Sequence, residues 1–151
     1  MSEPTPSFVP AVQRVSVDAI SELRDRVLRG GQVQGEFAYP DDPATTHLAV
    51  FDGGTVVSCA TTFPEAFEGE AQAWRVRGMA TAPEYRGRGC GRALVDAAVE
   101  RASAASIPLL WCNVRTSALG FYEECGFEIV GPEFITGTGI PHRVALCRLS
   151  E

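Results

Sequence analysis

Lysine is absent from this 151-residue chain: all 13 basic side chains are arginine. Without a side-chain primary amine there is no Schiff-base chemistry, and no phosphate loop ending in Gly-Lys-Ser/Thr. Cysteine occurs five times, at Cys59, Cys90, Cys112, Cys125 and Cys147, but never as C-x-x-C. His47 and His142 are the only histidines, and both lie far from any close cysteine pair. Neither a zinc site nor a disulfide framework is therefore expected. Small core cysteines in a reducing compartment are expected instead. No apolar run reaches the ~18 residues of a membrane span. The first ten residues carry Glu3, three prolines and no basic cluster, unlike a secretory signal, so the expected location is the cytoplasm.

The charge is −6, from 13 Arg against 6 Asp and 13 Glu. That balance argues against a general coating of nucleic acid or anionic membrane. Hydrophobic residues at 45% and charged residues at 21% are ordinary for a folded chain and exclude disorder. The length predicts a loose terminus over residues 1–6 and one domain over residues 7–151.

The pattern predicts the order β-α-(loop)-β-β-β-α-β-α-β-β, an α/β sheet with helices on its faces. Residues 8–15 read as a weak edge strand. Ser16 to Arg29 read as a helix with Val17, Ile20, Leu23, Val27 and Leu28 on its apolar face, ended by Gly30-Gly31. An irregular acidic stretch covers residues 32–46. Residues 47–51 and 55–62 form a hairpin through Asp52-Gly53-Gly54. Residues 72–81 are a third strand. A helix follows the glycine-rich loop, with Leu94, Val95, Ala98, Val99 and Ala102 inward. Residues 108–114 form a continuously apolar strand suited to burial on both faces. A short helix then runs to Glu124, and residues 127–130 and 143–149 are strands flanking a Gly/Pro-rich connection over 131–141.

Chemistry concentrates between Trp74 and Arg92, where a strand enters a glycine loop that opens a helix. Residues 74–92 hold five Arg and one Glu, a net +4, leaving −10 for the remainder. Such an island suits a small polyanion. Backbone N–H groups and a helix N-terminus converge on one spot, and glycine lets an oxyanion approach them. A dinucleotide fingerprint G-x-G-x-x-G beginning at Gly87 fails, because Arg92 stands where its third glycine belongs. The pattern R-x-x-G-x-G is met by Arg86, Gly89 and Gly91.

That motif resembles the pyrophosphate loop of the GNAT superfamily of N-acetyltransferases. Arg77-Gly78-Met79-Ala80-Thr81 resembles the family's fourth strand. Asn113, followed by Phe121-Tyr122-Glu123-Glu124-Cys125-Gly126-Phe127, is similar to its second signature. The resemblance covers residues 45–149 well and the N-terminal third loosely. It implies a mixed central sheet flanked by helices, with a splayed pair of parallel strands forming the acetyl-CoA cleft. It implies acetyl-CoA as co-substrate, no metal, an amine acceptor and direct transfer; family members are often homodimers. By the same resemblance, Met79, Ala80 and Thr81 bond the pantetheine arm and polarise the thioester carbonyl. Gly87, Arg88, Gly89, Cys90, Gly91 and Arg92 wrap the pyrophosphate with Arg86, and Asn113 bonds the pantetheine or a water. Tyr122 resembles the acid that protonates the departing thiolate. A non-catalytic acyl-CoA-binding module on the same fold is the alternative, and a different nucleotide-binding α/β protein is a second.

Other residues are less specified. Arg75 and Arg101 read as solvated surface charges. Cys90, at a helix start among arginines, has a setting that lowers a thiol pKa, but a nucleophilic role is rejected. The base that takes the acceptor's proton is left open among His47, Glu36, Glu65, Glu84 and His142. Glu36, Asp41, Asp42, Glu65, Glu68 and Glu70 suggest a cationic amine, with a solvated acidic loop an equal reading.

Overall fold

In a computed structural model, residues 8–28, 39–136 and 139–149 are described. The elements follow the expected order: β1 (Val12–Val15), α1 (Val17–Leu28), β2 (Thr46–Asp52), β3 (Thr55–Pro64), β4 (Ala73–Thr81), α2 (Cys90–Ala104), β5 (Leu109–Arg115), α3 (Leu119–Glu124), β6 (Glu128–Ile135) and β7 (Pro141–Arg148). One seven-stranded mixed sheet results, ordered β1-β2-β3-β4-β5-β7-β6. Only β4 and β5 run parallel; every other neighbour pair is antiparallel. No helix of the described residues is long and apolar enough to cross a membrane.

Helices cover both faces. α2 lays Leu94, Val95, Ala98 and Ala102 against Leu48, Val50, Val76, Leu110, Cys112 and Val114. Each large aliphatic side chain buried there is worth about 1.5–3 kcal/mol. On the opposite face Ile20 and Leu23 of α1 meet Ala49, Cys59 and Ala80. Val17 and Leu28, predicted inward, are partly exposed, and Arg24 occupies the buried stripe in their place. β6 also differs from expectation: it runs on to Ile135 through Gly131-Pro132, with the register shifting between Val130 and Phe134. An edge strand tolerates that bulge, because Pro132 withholds an N–H only from the sheet's outer side. The acidic residues 32–38 of the predicted loop, Glu36 among them, lie outside the described residues.

The feature that positions chemistry is a break in the sheet. β4 and β5 pair only at Ala73–Leu109, Trp74–Leu110 and Arg75–Trp111. Beyond those three pairs both strands continue without pairing to each other, β4 to Thr81 and β5 to Arg115. The divergence begins near a bulge: β3 has one residue, Ala60, where β4 has Gly78 and Met79. Gly78 takes φ +68°, a conformation side chains resist.

Candidate active site

Two adjoining cavities open where the strands part. One, of about 500 Å³, is lined by Met79, Ala80, Thr81, Arg86, Gly87, Gly89, Cys90, Gly91, Arg92 and Phe121. The other, of about 450 Å³, is lined by Arg75, Arg77, Met79, Asn113, Arg115, Tyr122, Thr136 and His142 among others. Leu28, Met79, Arg115, Ala118 and Phe121 border both.

The first cavity joins two sets of backbone donors. Ala82 N–H donates to the Val57 carbonyl of β3 at 2.8 Å. Because successive strand amides point to opposite sides, Thr81 and Met79 turn theirs toward the gap facing β5. Ala80, between them, turns toward β3. The second set is the first turn of α2. Its N-cap is Gly89, at φ +87°, which supplies no side-chain cap, so the N–H groups of Cys90, Gly91 and Arg92 lack one. The first bond back along the helix runs from Ala93 N–H to Gly89 O at 3.0 Å. Gly87 is likewise left-handed, at φ +73°, and a Cβ there would meet nothing within 4 Å. Gly91 serves packing: a Cβ there would lie 3.2 Å from Phe121 Cζ, where α3 leans on α2. The cavity has no carboxylate among its described lining residues and three guanidinium groups, Arg86, Arg92 and Arg115. A pyrophosphate-bearing ligand fits that donor set.

Arg88 does not line either cavity. Its guanidinium stacks 4.7 Å from the Tyr85 ring centroid and 4.9 Å from that of Phe8. Cys90 lines the first cavity but is 1% exposed, and burial raises its thiol pKa against the opposing pull of Arg88. The sequence argument for a lowered value missed that burial. Asn113 falls in the second cavity, on the exposed side of β5.

Tyr122 bridges the two regions. It is buried in the α2-side core against Phe121 and Phe127, and its hydroxyl donates to the Met79 sulfur at 3.6 Å. Burial pushes the phenol well above its usual range, so the hydroxyl stays protonated. Met79 is also one of the two residues whose N–H faces the gap.

The candidate bases separate by position. Among the described candidates, His142 alone lines a cavity. Its Nδ1 lies 2.8 Å from the Ile140 carbonyl, which can only accept, so Nδ1 carries hydrogen and Nε2 is left with a lone pair in the neutral ring. The ring stacks on Phe134. His47 sits behind the bulge instead. Arg24, 5% exposed, donates to the Gly78 carbonyl at 3.0 Å, the Tyr39 hydroxyl at 2.8 Å and the Thr61 hydroxyl at 2.9 Å. The same Thr61 hydroxyl also pairs with His47 Nδ1, 2.9 Å away. Burial lowers the His47 pKa, and Arg24 and Arg14 add to the effect. Glu65 is committed to Arg75 at 3.0 Å, and Glu84 lies in the 3-10 turn Pro83–Tyr85 and lines neither cavity.

Arg75 is not the solvated charge expected. Its side chain is 14% exposed and lies 4.8 Å over the Trp111 ring as well as against Glu65. Arg24 is the residue sequence reasoning missed: it falls one position after Leu23 on the apolar stripe of α1, and that placement was its only signal.

A model of the acetyltransferase (GNAT) family matches residues 17–127. Among curated proteins, the uncharacterized N-acetyltransferase YitI of Bacillus subtilis (strain 168) is 35% identical over 133 residues, spanning 85% of this chain and 89% of that protein. Among solved structures, a candidate N-acetyltransferase of Lactobacillus plantarum superposes with a TM-score of 0.77 at 21% identity, covering 93% of this chain and 99% of the other. yncA of Salmonella typhimurium, solved with its cofactor acetyl-CoA, gives 0.71 at 14% identity, covering 95% and 96%.

Proposed function

The chain belongs to the GNAT acetyltransferase family, and from that premise we propose that it moves the acetyl group of acetyl-CoA to a primary amine of a small molecule or peptide by direct transfer. The observation that best supports the reading is the pair of backbone donor sets around one gap, Met79 and Thr81 on β4 and residues 90–92 at the start of α2, with the Tyr122 hydroxyl beside Met79.

On this reading the pyrophosphate sits on the amides of Gly87 to Arg92, with Arg86 adding charge. The pantetheine arm lies along β4 in place of the missing strand partner. Ala80 and Thr81 border that path, and Asn113 faces the acyl end from β5. The amine nitrogen attacks the thioester carbon, and the charge that develops on the carbonyl oxygen is met by the Met79 N–H. As the C–S bond breaks, the sulfur takes the Tyr122 proton. The amine proton goes to His142 Nε2, directly or through a water. A thiol titrates near ~8.5 and an unperturbed phenol near ~10, and burial raises Tyr122 further, so the thiolate is a tolerable leaving group and the phenol a modest helper. Arg88 and Cys90 contribute backbone here and no side-chain chemistry.

The test is a thermal-shift titration with acetyl-CoA, CoA, NAD and ATP, followed by thiol release in the presence of an amine panel. A ligand at 100 times its Kd adds about 2.7 kcal/mol of stability. The expected result is stabilisation by acetyl-CoA and CoA and not by the others, with acetylated amine identified by mass. CoA binding without acetylation of any amine would favour a non-catalytic acyl-CoA-binding module.

A further inference from the structure

The proposal concerns the second cavity and rests on the acetyltransferase reading above. Pairing across β4, β5 and β7 fixes which side chains share its face. Paired residues point the same way, so Arg75 joins Trp111, Asn113 joins Val144, and Arg115 joins His142. Period-two alternation adds Arg77 to Arg75 and Asn113 and Arg115 to Trp111. Helix α1 packs mainly over β2, β3 and β4, and of its residues Leu28 lines the cavity. The cavity thus receives three guanidinium groups, Arg75, Arg77 and Arg115, with Asn113, Thr136 and His142 between them.

No carboxylate lines it among the described residues. Glu65 is held by Arg75. Asp42 accepts from the Ala44 N–H at 2.8 Å, and Glu70 forms a tight turn with Phe67. The acidic stretch that suggested a cationic acceptor therefore contributes no described side chain to this cavity. Arg115, where the strand ends, makes no ion pair among the described residues and borders both cavities.

We propose that the acceptor is an amine carrying an anionic group, a carboxylate or a phosphate, seated by Arg115. Guanidinium is the side chain best matched to either anion. Arginines around the nitrogen also disfavour its ammonium form, which is the form that cannot attack. A polyamine meets the opposite field: its extra cations face guanidinium and find no described carboxylate.

The experiment uses the full chain with acetyl-CoA and matched acceptors: glycine and β-alanine against their amides, O-phosphoethanolamine against ethanolamine, and spermidine. Acid and amide use the same co-substrate, so their ratio cancels any effect on acetyl-CoA. The expected result is a kcat/KM at least about tenfold higher for the anionic member of a pair, with the two anionic classes separated by which pair shows it. Arg115→Gln narrows that ratio about tenfold. Equal rates within every pair, spermidine as the best acceptor, or acetylation of neutral amines and of no anionic amine overturns the proposal. Failure of the underlying reading looks different: either CoA gives no thermal shift, or CoA binds and no amine of any class is acetylated.

Discussion

Replacing Gly78 with alanine tests how the β4 bulge is held. A Cβ at Gly78 would lie 2.6 Å from Arg24 Cζ, 2.7 Å from Arg24 Nε and 2.7 Å from the Tyr39 hydroxyl. A solvated arginine would swing aside at little cost. Arg24 is 5% exposed and bonded to the Gly78 carbonyl, Tyr39 and Thr61, so moving it strands buried partners. Left-handed alanine costs about 1–2 kcal/mol, and losing one charged hydrogen bond costs about 1.5–3 kcal/mol more. The expected loss is about 3–5 kcal/mol, read by urea denaturation, with a fall in Tm of roughly 10 °C for a chain of this size. Gly87→Ala is the control: φ is +73°, but nothing lies within 4 Å, so only the backbone part, about 1–2 kcal/mol, remains. With Arg24→Ala as well, the double variant should lose at least about 1 kcal/mol less than the sum of the singles. Equal losses for Gly78→Ala and Gly87→Ala would refute the clash argument. Additive singles would show that Arg24 is not its source.

Other outcomes follow from the same geometry. Tyr122→Phe should lower kcat about ten- to a hundredfold and leave the acetyl-CoA KM unchanged, and an unchanged kcat removes the acid role. Arg86→Ala should weaken CoA binding about tenfold, and the wild-type affinity should fall more steeply with salt than the variant's; equal slopes would place Arg86 away from the phosphates. His47 has a folded pKa below its unfolded value near 6.5. Its contribution is therefore present above pH ~6.5 and lost as pH falls through that value, because the unfolded chain then binds the proton more readily. Urea curves at pH 7.5 and 5.5 should show that loss in the wild type and less of it in His47→Gln; identical losses in both would clear His47 of the effect.

Local signals carried most of the architecture. Hydrophobic periodicity, the Asp52-Gly53-Gly54 turn and the glycine loop preceding Cys90 each act within a few residues, and each sits where the sequence indicates. Gly131-Pro132 misled because a breaker in isolation reads as a loop, whereas a neighbouring strand can absorb it as a bulge. Burial was the harder quantity. Arg75 read as a surface charge and Arg24 drew no reading, because the partners that bury them, Trp111 and Glu65 for one and Thr61 and Gly78 for the other, are distant in sequence. The grouping of Arg115 with His142 depends on β7 inserting between β5 and β6, a long-range pairing with no local trace. Cys90 shows the same limit: helix-start electrostatics are legible, the shielding that outweighs them is not.

The three-pair seam between β4 and β5 has a mechanical consequence. It divides the sheet into a four-stranded leaf and a three-stranded leaf, joined by Ala73–Leu109, Trp74–Leu110, Arg75–Trp111 and the α2 helix that packs across both. Backbone polar groups left open along such a seam are where native-state opening begins. A ligand lying in the gap supplies those groups with partners and works as a removable strand. Hydrogen exchange should therefore report two opening units in the free protein, with Met79 and Thr81 among the faster amides of the sheet. CoA should merge them into one, slowing exchange on both leaves, including β7, which pairs with β5.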